Sequence, residues 1–219
     1  MAKRDDIVRF LNELLDVKSI KDSSQNGLQV QGAAVVRRVG LAVDASLEAY
    51  RLAASKGCQM VLAHHGLIWN GITSVTGVAY RHVKFLLDHD INLYGCHLPL
   101  DMHAEVGNNA QLAKLLGLVD IAPWGMYHEQ TISFRGRLPK AMTTQQIASR
   151  FQRALGGRPV LLPFGRKLNR TVALCSGGGA DMLEEAIGAG VDCYITGEHS
   201  HFNHIQAKEG GANVVFLGH

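Results

Sequence analysis

Val61-Leu62-Ala63-His64-His65-Gly66 is the stretch on which the reading of this 219-residue chain turns. A short apolar run delivers two imidazoles and a glycine, as a buried strand does where it reaches the edge of a sheet. A second run, Ile91-Asn92-Leu93-Tyr94-Gly95-Cys96, leads into His97-Leu98-Pro99-Leu100-Asp101-Met102-His103. A third, Val214-Val215-Phe216-Leu217-Gly218, ends at His219. Open parallel sheets gather ligands at the carboxyl ends of their strands, and histidine is the commonest metal ligand. Taken singly, each histidine reads equally well as a core or surface residue. Their shared position, with a carboxylate beside one of them, points to a metal site.

Working outward, the expected elements alternate. Ile7, Val8, Leu11, Leu14 and Leu15 have helical spacing over 5–17. Leu28 to Gly32 alternates as a strand, and Val39 to Val43 is an apolar run ending at Asp44. Ser46 reads as an N-cap for a helix to Ser55, followed by the strand 59–63. A loop over 66–77, a helix over 80–89, a strand over 92–96 and a helix over 110–116 complete a β-α-β-α-β-α half, which favours a right-handed parallel sheet. Pro123-Trp124-Gly125 breaks the pattern. The strand 131–138, a helix capped by Thr143 and the strand 160–162 read as a small α+β lobe. The α/β pattern then resumes with strands over 171–175, 192–196 and 213–217, and helices over 181–188 and 202–209. The expected organisation is one α/β domain: a first half over 1–122, an inserted lobe over 123–165 and a second half over 166–219.

The two halves overlay. An offset of 133 places Leu41 on Leu174, Gly57 on Gly190 and His65 on Glu198. An offset of 122 places His82 on His204, Tyr94 on Phe216 and His97 on His219. Such self-similarity reads as an internal repeat whose halves both direct polar side chains to a shared cleft.

Composition excludes several classes. The hydrophobic fraction of 47% is that of a soluble globule, and no run approaches the length of a membrane span. The N-terminal residues lead into an amphipathic segment and not an apolar signal core, so the cytoplasm is the expected location. A formal charge of +3 neither demands nor excludes nucleic acid. The four cysteines form no C-x-x-C pair, so neither a disulfide framework nor a thiolate zinc site is expected. Imidazoles with a carboxylate and no thiolate suit zinc, iron, manganese or nickel alike. Adjacent side chains on a strand point to opposite faces. His64 and His65 therefore share one ion only where the strand has ended; otherwise each serves its own, with Asp101 bridging a two-metal, hydrolytic site. Gly177-Gly178-Gly179, between a strand and a helix, could cradle an anion or simply make a tight turn.

Seven motifs together resemble the NIF-three-like family, also labelled GTP cyclohydrolase I type 2 homologues. They are Asn26-Gly27-Leu28-Gln29-Val30, His64-His65-Gly66, Gly95-Cys96-His97-Leu98-Pro99-Leu100-Asp101, Gly107-Asn108-Asn109, Ser176-Gly177-Gly178-Gly179, Thr196-Gly197-Glu198 and Gly218-His219. The resemblance runs from about residue 20 to the last. It implies two divalent metal ions per subunit and a toroidal homohexamer built as a trimer of dimers. It places metal ligands at His64, His65, Asp101 and His219. The family usually has one more ligand, a Glu four residues past the last His; the sequence stops at His219, and a shortened sequence is the reading of that ending.

The expected function is a metal-dependent hydrolase acting on a nucleotide-like or other phosphorylated small molecule. His97, His103 and Glu198 are the candidates for supporting the ligands or moving protons. Two rival readings are a non-catalytic metal-binding ring acting through partners, and a ring on single-stranded nucleic acid, for which the basic lining is thin.

Overall fold

A computed structural model of the chain describes residues 1–72 and 74–219. Thr73, inside the loop expected over 66–77, lies outside the described residues. The chain separates into two compact units, Met1–Leu100 and Asp101–His219.

In the first unit, β1 (Ala2–Lys3) leads into α1 (Arg4–Leu14), followed by β2 (Gly27–Val30) and β3 (Val35–Val36). Then come β4 (Val39–Asp44), α2 (Leu47–Ser55), β5 (Met60–His65), α3 (Gly77–Asp88) and β6 (Asn92–Gly95). β1 and β3 form a small antiparallel ribbon. The main sheet has the order β2-β6-β5-β4, with β4, β5 and β6 parallel and β2 antiparallel at one edge. Ser46 caps α2 as expected, its hydroxyl accepting from Ala49 N–H at 3.1 Å. On one sheet face Val61, Ala63 and Leu93 pack with Tyr50, Ala53 and Leu86 of the helices. On the other, Leu62, Tyr94 and Cys96 pack with Val8, Leu11 and Leu15 around α1.

The short helix α4 (Leu98–Met102) spans the boundary between the units. The second unit continues with α5 (Asn108–Leu116), β7 (Val119–Tyr127), β8 (Gln130–Met142), α6 (Thr144–Leu155), β9 (Val160–Pro163) and β10 (Asn169–Cys175). A 3₁₀ turn over Gly179–Met182 precedes α7 (Leu183–Gly188), β11 (Cys193–Thr196), α8 (Asn203–Glu209) and β12 (Asn213–Phe216). Thr143 forms a full capping box with Gln146 at the start of α6.

The sheet order of the second unit is β7-β8-β10-β11-β12-β9. Residues 123–165, expected as a small lobe inserted between the two halves, supply strands to both edges of this sheet. They have no core of their own: Ile147 and Phe151 pack in one cluster with Val172, Leu174, Ile195 and Val215. The pattern break expected at Pro123 lies instead inside β7, paired with Phe134. β7 is an edge strand, the place within a sheet where proline is tolerated.

The repeat is visible in the strand order. β2-β6-β5-β4 in the first unit corresponds to β9-β12-β11-β10 in the second, with the same parallel and antiparallel senses. Leu41 faces Leu62 across β4 and β5, and Leu174 faces Ile195 across β10 and β11, as the offset of 133 requires. The offset of 122 is corrected to 121. Met60 pairs with Asn92 and Cys193 with Asn213, so Asn92 falls on Asn213 and His97 on Gly218. Both asparagines are buried and do the same work: Asn92 Oδ1 accepts from Gly32 N–H at 2.8 Å, and Asn213 Oδ1 from Gly165 N–H at 3.0 Å.

Candidate metal centre

In the first unit, β5 runs through both histidines, two residues beyond the expected strand end at 63. His64 lies on the face of Leu62 and His65 on that of Ala63, yet at the end of the strand their ring centroids are only 4.6 Å apart. His97, just past β6, joins them at 5.2 Å from His64 and 5.7 Å from His65. One ligand atom from each of the three lies within 4.8 Å of the others.

Each ring is held by its Nδ1. His64 Nδ1 is 2.9 Å from the Cys96 carbonyl, His65 Nδ1 2.8 Å from Asp44 Oδ1, and His97 Nδ1 3.0 Å from Asp22 Oδ1. A carbonyl or an ionised carboxylate only accepts, so Nδ1 carries the proton in all three and the lone pair sits on Nε2. Burial pushes the Asp22 carboxyl up, but hydrogen bonds from His97, Asn26 and the Ser24 N–H outweigh it and hold it at about 2. Asp22 is therefore a fixed anion beneath His97. Its Oδ2 also accepts from Leu98 N–H at 3.0 Å and from Asn26 at 2.8 Å, while Asn26 Oδ1 accepts from His97 N–H at 2.8 Å.

The loop after the double histidine is pinned by Gln29. Its Oε1 accepts from Leu67 and Ile68 N–H at 2.7 and 3.1 Å, and its Nε2 donates to the Gln25 carbonyl at 2.6 Å. The carboxamide lies so close over Gly66 and Gly95 that a Cβ on either would collide with it. The loop then presents Trp69, whose indole centroid is 5.0 Å from that of His97.

In the second unit, the ends of the parallel strands β10, β11 and β12 carry Ser176, Glu198 and His219. Asp101 is buried, and its Oδ1 accepts from Ser176 Oγ at 2.8 Å and Asn108 Nδ2 at 2.9 Å. Asn109 Oδ1 accepts from Ser176 N–H at 2.7 Å. His219 Nδ1 is 2.9 Å from Glu198 Oε1. Gly197 and Glu198 N–H both donate to the Gly177 carbonyl at 3.0 Å, an approach that leaves no room for a Cβ at Gly197. His103 does something else: its Nδ1 accepts from Glu105 and Val106 N–H at 3.1 and 3.2 Å, closing a turn.

The profile of the family described as Duf34/NIF3 (NGG1p interacting factor 3) matches residues 2–219. The chain belongs to the DUF34/NIF3 family. A NIF3-family relative from Archaeoglobus fulgidus, named GTP cyclohydrolase 1 type 2 homolog, is 45% identical over 98% of this chain and 85% of its own length. One of the same name from Deinococcus radiodurans is 39% identical over 99% of this chain and 82% of its own. The crystal structure of TTHA1606 from Thermus thermophilus matches with a TM-score of 0.91 at 37% identity, covering all of this chain and 87% of that one. Reduced HcgD from Methanocaldococcus jannaschii matches with a TM-score of 0.86 at 25% identity, over the same shares. The fold is thus the α/β NIF3 fold.

The family resemblance implies bound metal, and the residues present fit an ion. Three imidazoles with fixed tautomers lie near enough for small side-chain rotations to bring three nitrogens to the ~2.0–2.1 Å that zinc asks of histidine. The thiols do not compete. All four cysteines are buried, and burial pushes the Cys175 thiol up to about 12. Of the expected site residues, His64 and His65 are brought together in the first unit. His97, expected to support the ligands, stands in the group as a potential ligand itself. Asp101, Glu198 and His219 lie at strand ends in the second unit. The residues the sequence reading passed over are Asp22, Asp44 and the Cys96 carbonyl. Asp44 had a signal, since it ends an apolar run as His64 and His65 do. Asp22 had none, because it reaches His97 from a loop 75 residues away.

Proposed function

We propose that this protein is a metal-dependent hydrolase whose divalent ion is held by the His64–His65–His97 group, acting on a nucleotide-like or other phosphorylated small molecule. The observation that carries the metal part is the locking of all three Nδ1 atoms by acceptors, which leaves Nε2 as the coordinating nitrogen of each. Bound there, an ion supplies Lewis acidity to a substrate oxygen. Asp22 and Asp44 hold the imidazoles in one orientation, and Trp69 offers an indole edge beside His97 on which a flat ring could rest. Glu198 holds His219 through its Nδ1, as Asp44 holds His65. The hydrolytic part rests on the thiol-free donor set and on the cyclohydrolase name that relatives carry.

The second ion belongs to the same proposal, with Asp101 and His219 completing the ligand set implied by the resemblance. So does assembly into a six-membered ring, which light scattering tests directly. The activity test is turnover of a panel of nucleotides and phosphoesters by metal-loaded protein, with and without chelator. Turnover that needs metal and is lost in His65→Ala is the expected result. An ion retained without turnover of any compound would favour the rival, a metal-binding ring that acts through partners.

A further inference from the structure

We propose that the second unit carries a further small-molecule site, a basic groove between β8 and α6 that takes an organic phosphate, an anionic head on an apolar body. The groove runs between the last residues of β8 and one face of α6, and it ends at the C-terminus of α5. It encloses about 650 Å³, within the ~300–1,000 Å³ of pockets that hold small ligands. Buried Leu116 and Leu138, with half-buried Met142, form an apolar floor. Lys140, Arg150 and Arg153 stand around it, and among the described residues no aspartate or glutamate borders it.

The chain sets these groups by helix period and by a break in strand register. In α6, Gln146, Ser149, Arg150 and Arg153 fall at i, i+3, i+4 and i+7, one face of the helix. Ile147, Ala148 and Phe151 turn to the core instead. On β8, Arg137 is opposite Thr171 and Met142 opposite Asn169, so residues 138–141 lie against Arg170 alone. Such a bulge re-aims side chains. Arg170 Nη1 donates to the Pro139 carbonyl at 3.0 Å and holds the bulged segment in place.

The three cations are left unspent by the fold. Arg137 pairs with Asp120, but among the described residues the side chains of Lys140, Arg150 and Arg153 make no hydrogen bond and no ion pair. Arg150 reaches from α6 to the end of α5, its Nη2 3.7 Å from where a Cβ on Gly117 would stand. Arg153 lies in the last turn of α6. Helix C-termini favour cations at both places, yet the guanidinium N–H groups remain for a ligand. Arginine forks match phosphate oxygens two at a time, and a lysine adds a point charge. Ser149 Oγ accepts from Gln145 Nε2 at 3.4 Å and keeps its own proton to donate.

The groove is separate from the strand-end residues of its own unit. Met142 faces Asn169, the first residue of β10, whereas Ser176 follows its last. The groove therefore lies at the opposite end of that strand from Ser176, and the inference does not rest on the metal reading.

The test is fluorescence titration of the chelator-treated full chain with naphthyl phosphate, with naphthol and inorganic phosphate measured by competition. Saturable binding of one naphthyl phosphate per chain is expected, weakening as salt rises. Naphthol and inorganic phosphate should each bind at least ~10-fold more weakly, because each meets only part of the groove. Arg150→Gln combined with Arg153→Gln should weaken naphthyl phosphate at least ~10-fold by removing charge-assisted hydrogen bonds. Both residues are exposed, so circular dichroism should show the fold intact. His65→Ala should bind as the wild type does. No saturable binding, equal affinity in the double variant, inorganic phosphate bound as tightly as the ester, or binding lost in His65→Ala would each overturn the proposal.

Discussion

His97 Nδ1 lies 3.0 Å from Asp22 Oδ1, and the Asp22 side chain is almost wholly shielded from water. The pair joins a turn that precedes β2 to the residue that follows β6, and it fixes which nitrogen of His97 can meet an ion. Asp44 does the same for His65 from an exposed position. Replacing such a partner typically weakens metal affinity ~10–100-fold. Asp44→Asn should therefore loosen the ion by about that factor with little change in stability. Asp22→Asn should loosen it similarly and also destabilise the fold, because Asp22 holds Asn26, Ser24 and Leu98 as well. Zinc titration calorimetry beside urea unfolding separates the two effects. Unchanged affinity in both variants would contradict the roles given to these carboxylates.

Gly66→Ala tests how the loop is set. The added methyl displaces the Gln29 carboxamide and releases Leu67 and Ile68 N–H, so a stability loss of ~1–3 kcal/mol is expected. The indole of Trp69 should lose its fixed place beside His97, read as a shift in tryptophan fluorescence. A variant with wild-type stability and emission would show that Gln29 does not pin this loop.

Much of this arrangement was legible in the sequence. Apolar runs ending in His64, His97 and His219 marked strand ends, and the caps at Ser46 and Thr143 were read where they stand. Less legible were features that depend on pairing across long separations. The β6-to-β12 offset is set by Asn92 and Asn213, which hold backbone groups at the start of each strand, while sliding identities such as Tyr94 on Phe216 suggested a register one residue off. The stretch 123–165 was expected as an inserted lobe because Pro123 reads as a breaker, whereas Pro123 lies within an edge strand, where proline is tolerated. Asp22 carries no local pattern, since its role exists only once the chain has returned to His97.

Asn92 and Asn213 should be costly to truncate. Asn92 Nδ2 donates to the Ala33 and Gln59 carbonyls at 2.9 and 2.8 Å while its Oδ1 accepts from Gly32. Asn213 serves Gly165, Arg166 and Asn169. Alanine at either position strands buried polar groups, each costing ~1–3 kcal/mol, so a loss of at least ~2 kcal/mol is expected from each variant by urea unfolding. A loss under ~0.5 kcal/mol would mean the groups find other partners.

Acid stability should carry the mark of Asp192. Burial pushes its carboxyl up, but the N–H groups of Thr171 and Arg170 and the Thr171 hydroxyl outweigh this and leave it below the ordinary value. A carboxyl lowered in the folded state stabilises fully above its unfolded value of ~3.9 and loses that contribution as pH falls through the folded value. Asp192→Asn should therefore be less stable than wild type at neutral pH, with the gap narrowing below about pH 4. Parallel pH profiles of the urea midpoint would contradict this assignment.

The central claim is that His64, His65 and His97 hold a divalent ion. Its most direct measurement is equilibrium dialysis of chelator-stripped protein against zinc, with elemental analysis of the wild type and of the three single alanine variants. The account predicts bound zinc in the wild type and affinity lowered at least ~10-fold by each substitution, since each removes one imidazole donor. A wild type that takes up no ion, or three variants that bind it as tightly as the wild type, would contradict it.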